Sequence, residues 1–240
     1  MQGCADNGED VRHIYVAKAL DAYKSFYDKG WAERFSNITE TTKLWQPGLD
    51  LIMDWKGAAF TAAMPWVLIS PLDSPCDCWD HYMQSYTFKT TLWSSQRICY
   101  AAIYHAYENF LTRCVEEALK IPNYRPKKRN LTPTEALAAD LNDIMPGAGD
   151  HCLLKDERVD FGRRVRNSLA HNGGRSWPRI DVKNAEHKTD DGRVHKLTVW
   201  HGKIQVVPED TRFLLDLLKQ KAFWLAEKAK DHPKFRIATA

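Results

Sequence analysis

No stretch of this 240-residue chain stays apolar for the roughly 20 residues a bilayer-spanning helix needs. The segment from Cys4 to Asp10 is polar and acidic, unlike a secretory leader. A cytoplasmic protein without membrane contact is expected. Excess charge of one sign is also missing: 34 Lys and Arg face 31 Asp and Glu. That excludes a polybasic nucleic-acid coat, so any RNA binding must use a local patch. Six cysteines are too few for a disulfide framework in so long a chain. Cys99, Cys114 and Cys152 fall within helical patterns and read as small core residues. Cys76-Asp77-Cys78, with His81 nearby, departs from finger or ribbon spacing, so no metal is expected. A Gly-rich phosphate loop of Walker or Rossmann spacing is absent too, which argues against an ATPase or dehydrogenase, and no cofactor is expected. There is no internal repeat and no low-complexity tract.

What is present is mostly helical periodicity. Apolar residues at three- and four-residue steps predict a helix over Glu9 to Lys29. Gly30 to Pro47 is mixed, a shorter helix is expected around Leu49 to Ala63, and the three prolines of Pro65 to Cys78 mark a loop. Tyr82 to Lys120 reads as one long helix or two in series, and its Ile98 to Leu119 segment is apolar around much of its circumference. A basic linker with Arg125, Lys127, Lys128 and Arg129 follows. Thr132-Pro133-Thr134-Glu135 is a capping box opening a helix to about Ile144, and Pro146-Gly147-Ala148-Gly149 then breaks the chain. Further on, Lys196 to Trp200 and Lys203 to Val207 flank His201-Gly202 as a tight hairpin. Pro208-Glu209-Asp210 starts a last helix. The expected fold is all-α, mainly a helical bundle, with a small β-hairpin insertion near its C-terminal end. The expected division is an N-terminal helical extension or subdomain over 1–85, a main helical domain over 86–230 and a tail over 231–240.

The chemistry concentrates in Arg166-Asn167-Ser168-Leu169-Ala170-His171-Asn172-Gly173-Gly174. The helix leading into it carries Phe161, Val165 and Leu169 at i, i+4, i+8, a buried stripe. At 3.6 residues per turn, measured from Val165, Arg166 lies near ~100°, Ala170 near ~140°, Arg163 near ~160°, Asn167 near ~200° and His171 near ~240°. That places all five opposite the stripe. Asn172-Gly173-Gly174 tolerates positive φ and suits a helix end. His171 then sits in the last turn, where the helix dipole favours imidazolium. Upstream, Glu108 stands on the apolar helix beside Tyr104, His105 and Asn109. A carboxylate there is costly unless paired, and Arg166 is the expected partner. The alternatives are a pair that positions the guanidinium, an ordinary structural salt bridge, or a Glu108 that simply faces solvent.

Arg, Asn and a His five positions after the Arg resemble the signature of the HEPN superfamily (higher eukaryote and prokaryote nucleotide-binding domains). The resemblance rests on Arg166, Asn167 and His171 and the trailing Asn-Gly-Gly, and covers roughly Thr90 to Ala229. It implies a helical bundle that dimerises through the motif helix. It also implies either a metal-independent endoribonuclease of defence, toxin–antitoxin or stress systems, or a noncatalytic RNA- or protein-binding module. An antitoxin or other regulatory protein is a further implied partner. In the nuclease reading His171 moves the proton of the ribose 2′-hydroxyl or of the leaving 5′-oxygen. Arg166 meets the phosphate charge that grows in the transition state, and Asn167 orients imidazole or phosphate. One protomer offers one such His, so a dimer would supply both base and acid. Arg163, Lys127, Lys128 and Arg129 are candidate phosphate contacts, although a short charge run between helices is usually just solvated.

Overall fold

The computed structural model describes residues 29–67, 86–171, 186–188, 194–200 and 203–237. They form α1 (Lys29–Glu40), α2 (Trp45–Val67), α3 (Tyr86–Leu119), α4 (Pro133–Ile144), a π-helical turn (Asp150–Leu154), α5 (Glu157–His171) and α6 (Pro208–Lys230). Between α5 and α6 lie β1 (Glu186–Lys188), β2 (Val194–Lys196), β3 (Thr198–Trp200) and β4 (Lys203–Gln205). The architecture is mostly helical. The helix expected over Glu9 to Lys29, apart from its last residue, lies outside the described residues, as do Cys76, Cys78 and His81.

α3 organises the rest. Its 34 residues run unbroken, about 51 Å at 1.5 Å per residue. α2, α4, α5 and α6 all pack on it, leaving a narrow exposed line through Ser94, Ile98, His105 and Asn109. Cys99, Tyr100, Ile103, Tyr104, Ala106, Tyr107, Phe110, Leu111, Cys114 and Val115 are all buried. Cys99, Cys114 and Cys152 are free thiols within this core, as their pattern predicts.

Two elements differ from the expectation. The mixed segment after Gly30 contains a regular helix, α1, held by remote aromatics: Phe35 meets Phe110 and Phe223 edge-to-face at 5.8 and 5.2 Å. α2 is longer than expected at both ends and continues through Pro65 to Val67. A proline there has no N–H for the carbonyl of Thr61, four residues back. The Ser95 hydroxyl of α3 donates to that carbonyl at 2.6 Å, so the break in the ladder is repaired from outside.

One core spans the expected boundary at residue 85, since Phe35, Leu51 and Trp55 join the same cluster as α3, α5 and α6. The expected tail is tied in as well. Phe235 is buried, its carbonyl accepts from the Lys43 backbone N–H at 2.8 Å, and Arg236 bridges to Thr42. The hairpin appears as β3 paired with β4, Trp200 opposite Lys203, and β1–β2 adds a second short antiparallel pair. Arg97 Nε donates to the Ile204 carbonyl at 3.2 Å and fixes β4 to α3.

The path into α5 is set by two local devices. α4 begins with the expected capping box: the Glu135 N–H donates to Thr132 Oγ1 at 3.3 Å and the Thr132 N–H donates to Glu135 Oε2 at 2.8 Å. After Pro146 the chain turns back so closely that Gly149 lies against α4, where any β-carbon would overlap the Ala138 carbonyl. Asn142 seals this crossing, accepting from the N–H groups of Gly149 and Asp150 and donating to Asp150 Oδ1.

Asp156 then caps α5. Its carboxylate accepts the Arg158 N–H at 3.0 Å and pairs with Lys221 of α6 at 3.0 Å. Burial alone would raise the Asp156 carboxyl, but Arg158 and Lys221 outweigh it and hold the group well below the usual carboxylate range.

Gly149→Ala should lower stability by about 2–4 kcal/mol in denaturant titration, since the backbone it meets cannot yield. Gly57→Ala, exposed in mid-helix with open space around it, should instead gain about 0.5–1 kcal/mol. Because the Asp156 pKa is depressed on folding, the stability it confers is present above the ordinary carboxylate range and is lost as pH falls through its folded value. Unfolding free energies measured from pH 7 downward should therefore drop more steeply in the wild type than in Asp156→Asn. Equal acid slopes would remove Asp156 from the account.

Candidate functional site

α5 presents its motif on a seam with α3. Val159, Phe161, Gly162 and Val165 are buried and Leu169 is half-buried, which matches the expected stripe and widens it through Gly162. Arg166 departs from the expectation that all five motif-face residues lie opposite that stripe. It sits on the flank, with 17% of its side chain exposed, and pairs with Glu108 of α3. The expected partnership is present. Glu108 itself is 20% exposed, so the pair sits at the mouth of the seam.

Beneath that pair lies Tyr104, one helical turn before Glu108. The guanidinium carbon of Arg166 stands 5.5 Å from the centre of the Tyr104 ring. Tyr104 is fully buried. Gly162, one turn before Arg166, faces the same ring: a β-carbon there would make ordinary contact with Tyr104 at 3.5 Å and would crowd Leu214 Cδ1 of α6 at 2.8 Å. Two rungs therefore face each other, Tyr104 and Glu108 on α3 against Gly162 and Arg166 on α5. Burial pulls the Arg166 pKa below the arginine norm, and the Tyr104 neighbour opposes that shift. The Tyr104 hydroxyl is held neutral by its burial, against the pull of Arg163 and Arg166. Among the described residues, neither the Tyr104 hydroxyl nor Arg166 Nε has a hydrogen-bond partner.

The other motif residues divide. Asn167 is half-buried, Ala170 is exposed and α5 closes at His171, whose side chain lies outside the described residues, as do Asn172, Gly173 and Gly174. Arg163 is turned to Asp160, donating through Nε at 3.1 Å. The same carboxylate takes Arg164 at 3.1 Å.

The basic linker is less available than its composition suggests. Lys128 is committed to α4, with Nζ 2.7 Å from Asp140 and 2.9 Å from Asp143. Tyr124 also donates to Asp140. Lys127 and Arg129 are exposed. Glu135 at the start of α4 has its carboxyl lowered first by the Thr132 backbone N–H, with a smaller contribution from Arg163 of the motif helix.

No family model, curated protein or solved structure matches this chain. The site holds a permanent cation, clamped by a carboxylate and an aromatic face, at a half-open seam beside an amide. Such a group suits a phosphodiester or another oxyanion. Among the described residues no group of three His, Cys, Asp or Glu side chains could hold a metal ion, and no helix is long and apolar enough to cross a membrane.

Tyr104 and Gly162 were not singled out in the sequence as parts of the site. The signal available was their shared four-residue step to Glu108 and Arg166. An open groove of about 360 Å³ between α2 and α3, lined by Asp50, Asp54, Asn109 and Arg113, was also not anticipated. The Asp54 carboxyl there is raised by burial and then by Asp50, while His105 works the other way.

The Glu108–Arg166 pair should behave as a partly desolvated one. Glu108→Ala should cost about 1–3 kcal/mol, because it leaves a guanidinium away from water without its counter-charge. Adding Arg166→Met should recover part of that loss. A double-mutant cycle showing no coupling would mean that the pair contributes nothing to the seam.

Proposed function

We propose that this chain is a metal-independent endoribonuclease of HEPN type, working as a homodimer through α5. The observation that carries this reading is the Glu108–Arg166 pair. It fixes an arginine beside Asn167 on the last two turns of the helix that ends at His171. The same helix combines three groups suited to phosphodiester cleavage: a cation that keeps its proton, an amide and an imidazole.

In this mechanism Arg166 binds the scissile phosphate and stabilises its charge as the 2′-oxygen attacks. His171 of one protomer takes the 2′-hydroxyl proton, and the same residue of the second protomer protonates the departing 5′-oxygen. The products are a 2′,3′-cyclic phosphate and a 5′-hydroxyl. DNA, which lacks the 2′-hydroxyl, is no substrate. Asn167 orients the phosphate or the imidazole, and exposed Ala170 lets the second α5 or the RNA backbone approach closely. Arg163, Lys127 and Arg129 supply secondary phosphate contacts. Lys128, held by two aspartates, contributes mainly by keeping the linker in place. Cellular defence, toxin–antitoxin or stress roles, with an antitoxin-like regulator, belong to the same proposal, as does a cytoplasmic location.

Cleavage of mixed RNA in EDTA tests this directly. The wild type should leave cyclic-phosphate ends, and His171→Ala and Arg166→Ala should each lose at least about a hundredfold in rate while remaining folded. A folded wild-type dimer that binds RNA without cutting it would identify a noncatalytic binding module. Undiminished cleavage in both variants would place the site elsewhere.

A further inference from the structure

Arg166 is held in two places that use different parts of its guanidinium. Glu108 takes an N–H on the edge. Tyr104 lies 5.5 Å from the guanidinium carbon, within the range where an aromatic ring attracts a cation. The distinction matters because a phosphate oxygen binds through N–H groups and so competes with the Glu108 carboxylate. A ring does not compete for those donors. If Glu108 were the sole anchor, a phosphate that took the Nη2 donor from it would free the side chain it needs.

We propose that Tyr104 is the positioning residue of this site, keeping the Arg166 guanidinium in place while its N–H edge passes from Glu108 to a phosphate oxygen. The inference rests on the functional reading above for its phosphate, but not for its clamp. Three observations support the clamp. Tyr104 is fully buried, so its ring is fixed by the core and not by solvent. Gly162 of α5 lies against that ring, one turn from Arg166. The Tyr104 hydroxyl makes no hydrogen bond among the described residues, so hydrogen bonding does not account for a tyrosine here. What it offers Arg166 is an aromatic surface.

The clamp can be read without any enzymatic assay. Arg166 Nε is shielded from water and lacks a hydrogen-bond partner among the described residues. Its N–H should exchange slowly and give a distinct, rigid cross-peak in nitrogen-15 spectra of the full chain, assigned by its absence from Arg166→Lys. That signal should persist, rigid, in Glu108→Gln and in Tyr104→Phe, and should collapse to free-arginine behaviour in Tyr104→Leu. Added 2′-deoxy-substituted RNA, which cannot be cut, should shift the signal and leave it rigid. Its affinity should rise severalfold in Glu108→Gln and fall about tenfold in Tyr104→Leu, with Tyr104→Phe unchanged.

A mobile Arg166 in folded Glu108→Gln would overturn the clamp, since Glu108 would then be the sole anchor. So would loss of the signal in Tyr104→Phe, which would assign the role to the hydroxyl. Glu108→Gln leaves the core intact, so this arm stands even if Tyr104→Leu does not fold. Absence of any RNA effect alongside a rigid Arg166 in Glu108→Gln would defeat the ribonuclease reading while leaving the clamp in place.

Discussion

A helix packed on by four others has to account for the polar groups it buries, and α3 does so mainly through partners on those neighbours. Where water is largely excluded a polar group needs a partner on a neighbouring element, and three on α3 find one. Gln96 finds Thr211 of α6, Tyr107 donates to the Cys152 carbonyl in the π-helical turn, and Glu108 finds Arg166 of α5. Each pairing fixes a different neighbour in rotation and height. The candidate site is thus part of how the bundle specifies its packing. The cation that would meet a phosphate is also the one that satisfies the central helix.

That double role explains why the seam is built from such different contacts. Gly162 leaves space for Leu214 of α6, the Tyr104 ring gives shape, and Glu108 balances charge. The cap at Asp156 holds the other end of α5, and His151 covers Trp224 of α6 nearby with ring centres 4.2 Å apart. α5 is therefore fixed against α6 at its start and against α3 towards its end. Side chains between those points have little freedom to change their angle to the bundle, as a preorganised anion site requires.

Features governed by local spacing could be read from the sequence. Thr132 and Glu135 are three residues apart, and their capping box forms as the spacing demands. Phe161 and Val165 fall on one face and are buried. Glu108 could be assigned a partner because an unpaired carboxylate on an apolar helix is expensive wherever the helix packs. Features decided by distant residues could not be read. α1 owes its place to Phe110 and Phe223, which lie far along the chain. α2 passes through Pro65 because a hydroxyl on another helix serves the carbonyl that proline leaves unpaired. Arg166 lies on the flank of α5 because a residue's exposure depends on how many neighbours its helix has. An angular plot that assumes one buried stripe misses this when a second helix closes in from the side.

The fastening of Phe235 and Arg236 to the corner between α1 and α2 has a consequence for the order in which the molecule can be made. Lys43 and Lys234, which meet there, are 191 residues apart in the chain. During synthesis the α2–α3 hairpin can form early from neighbouring segments. The α1 corner must wait, with Phe35 lacking its α6 partner, until the ribosome has released residues beyond 235. Until then a set of large aromatic side chains stays without its cover, and such exposed surface is what chaperones bind and what aggregates recruit. Loop closure over so long a span is also slow. Translation past α6, more than any local helix propensity, sets when this chain can finish folding.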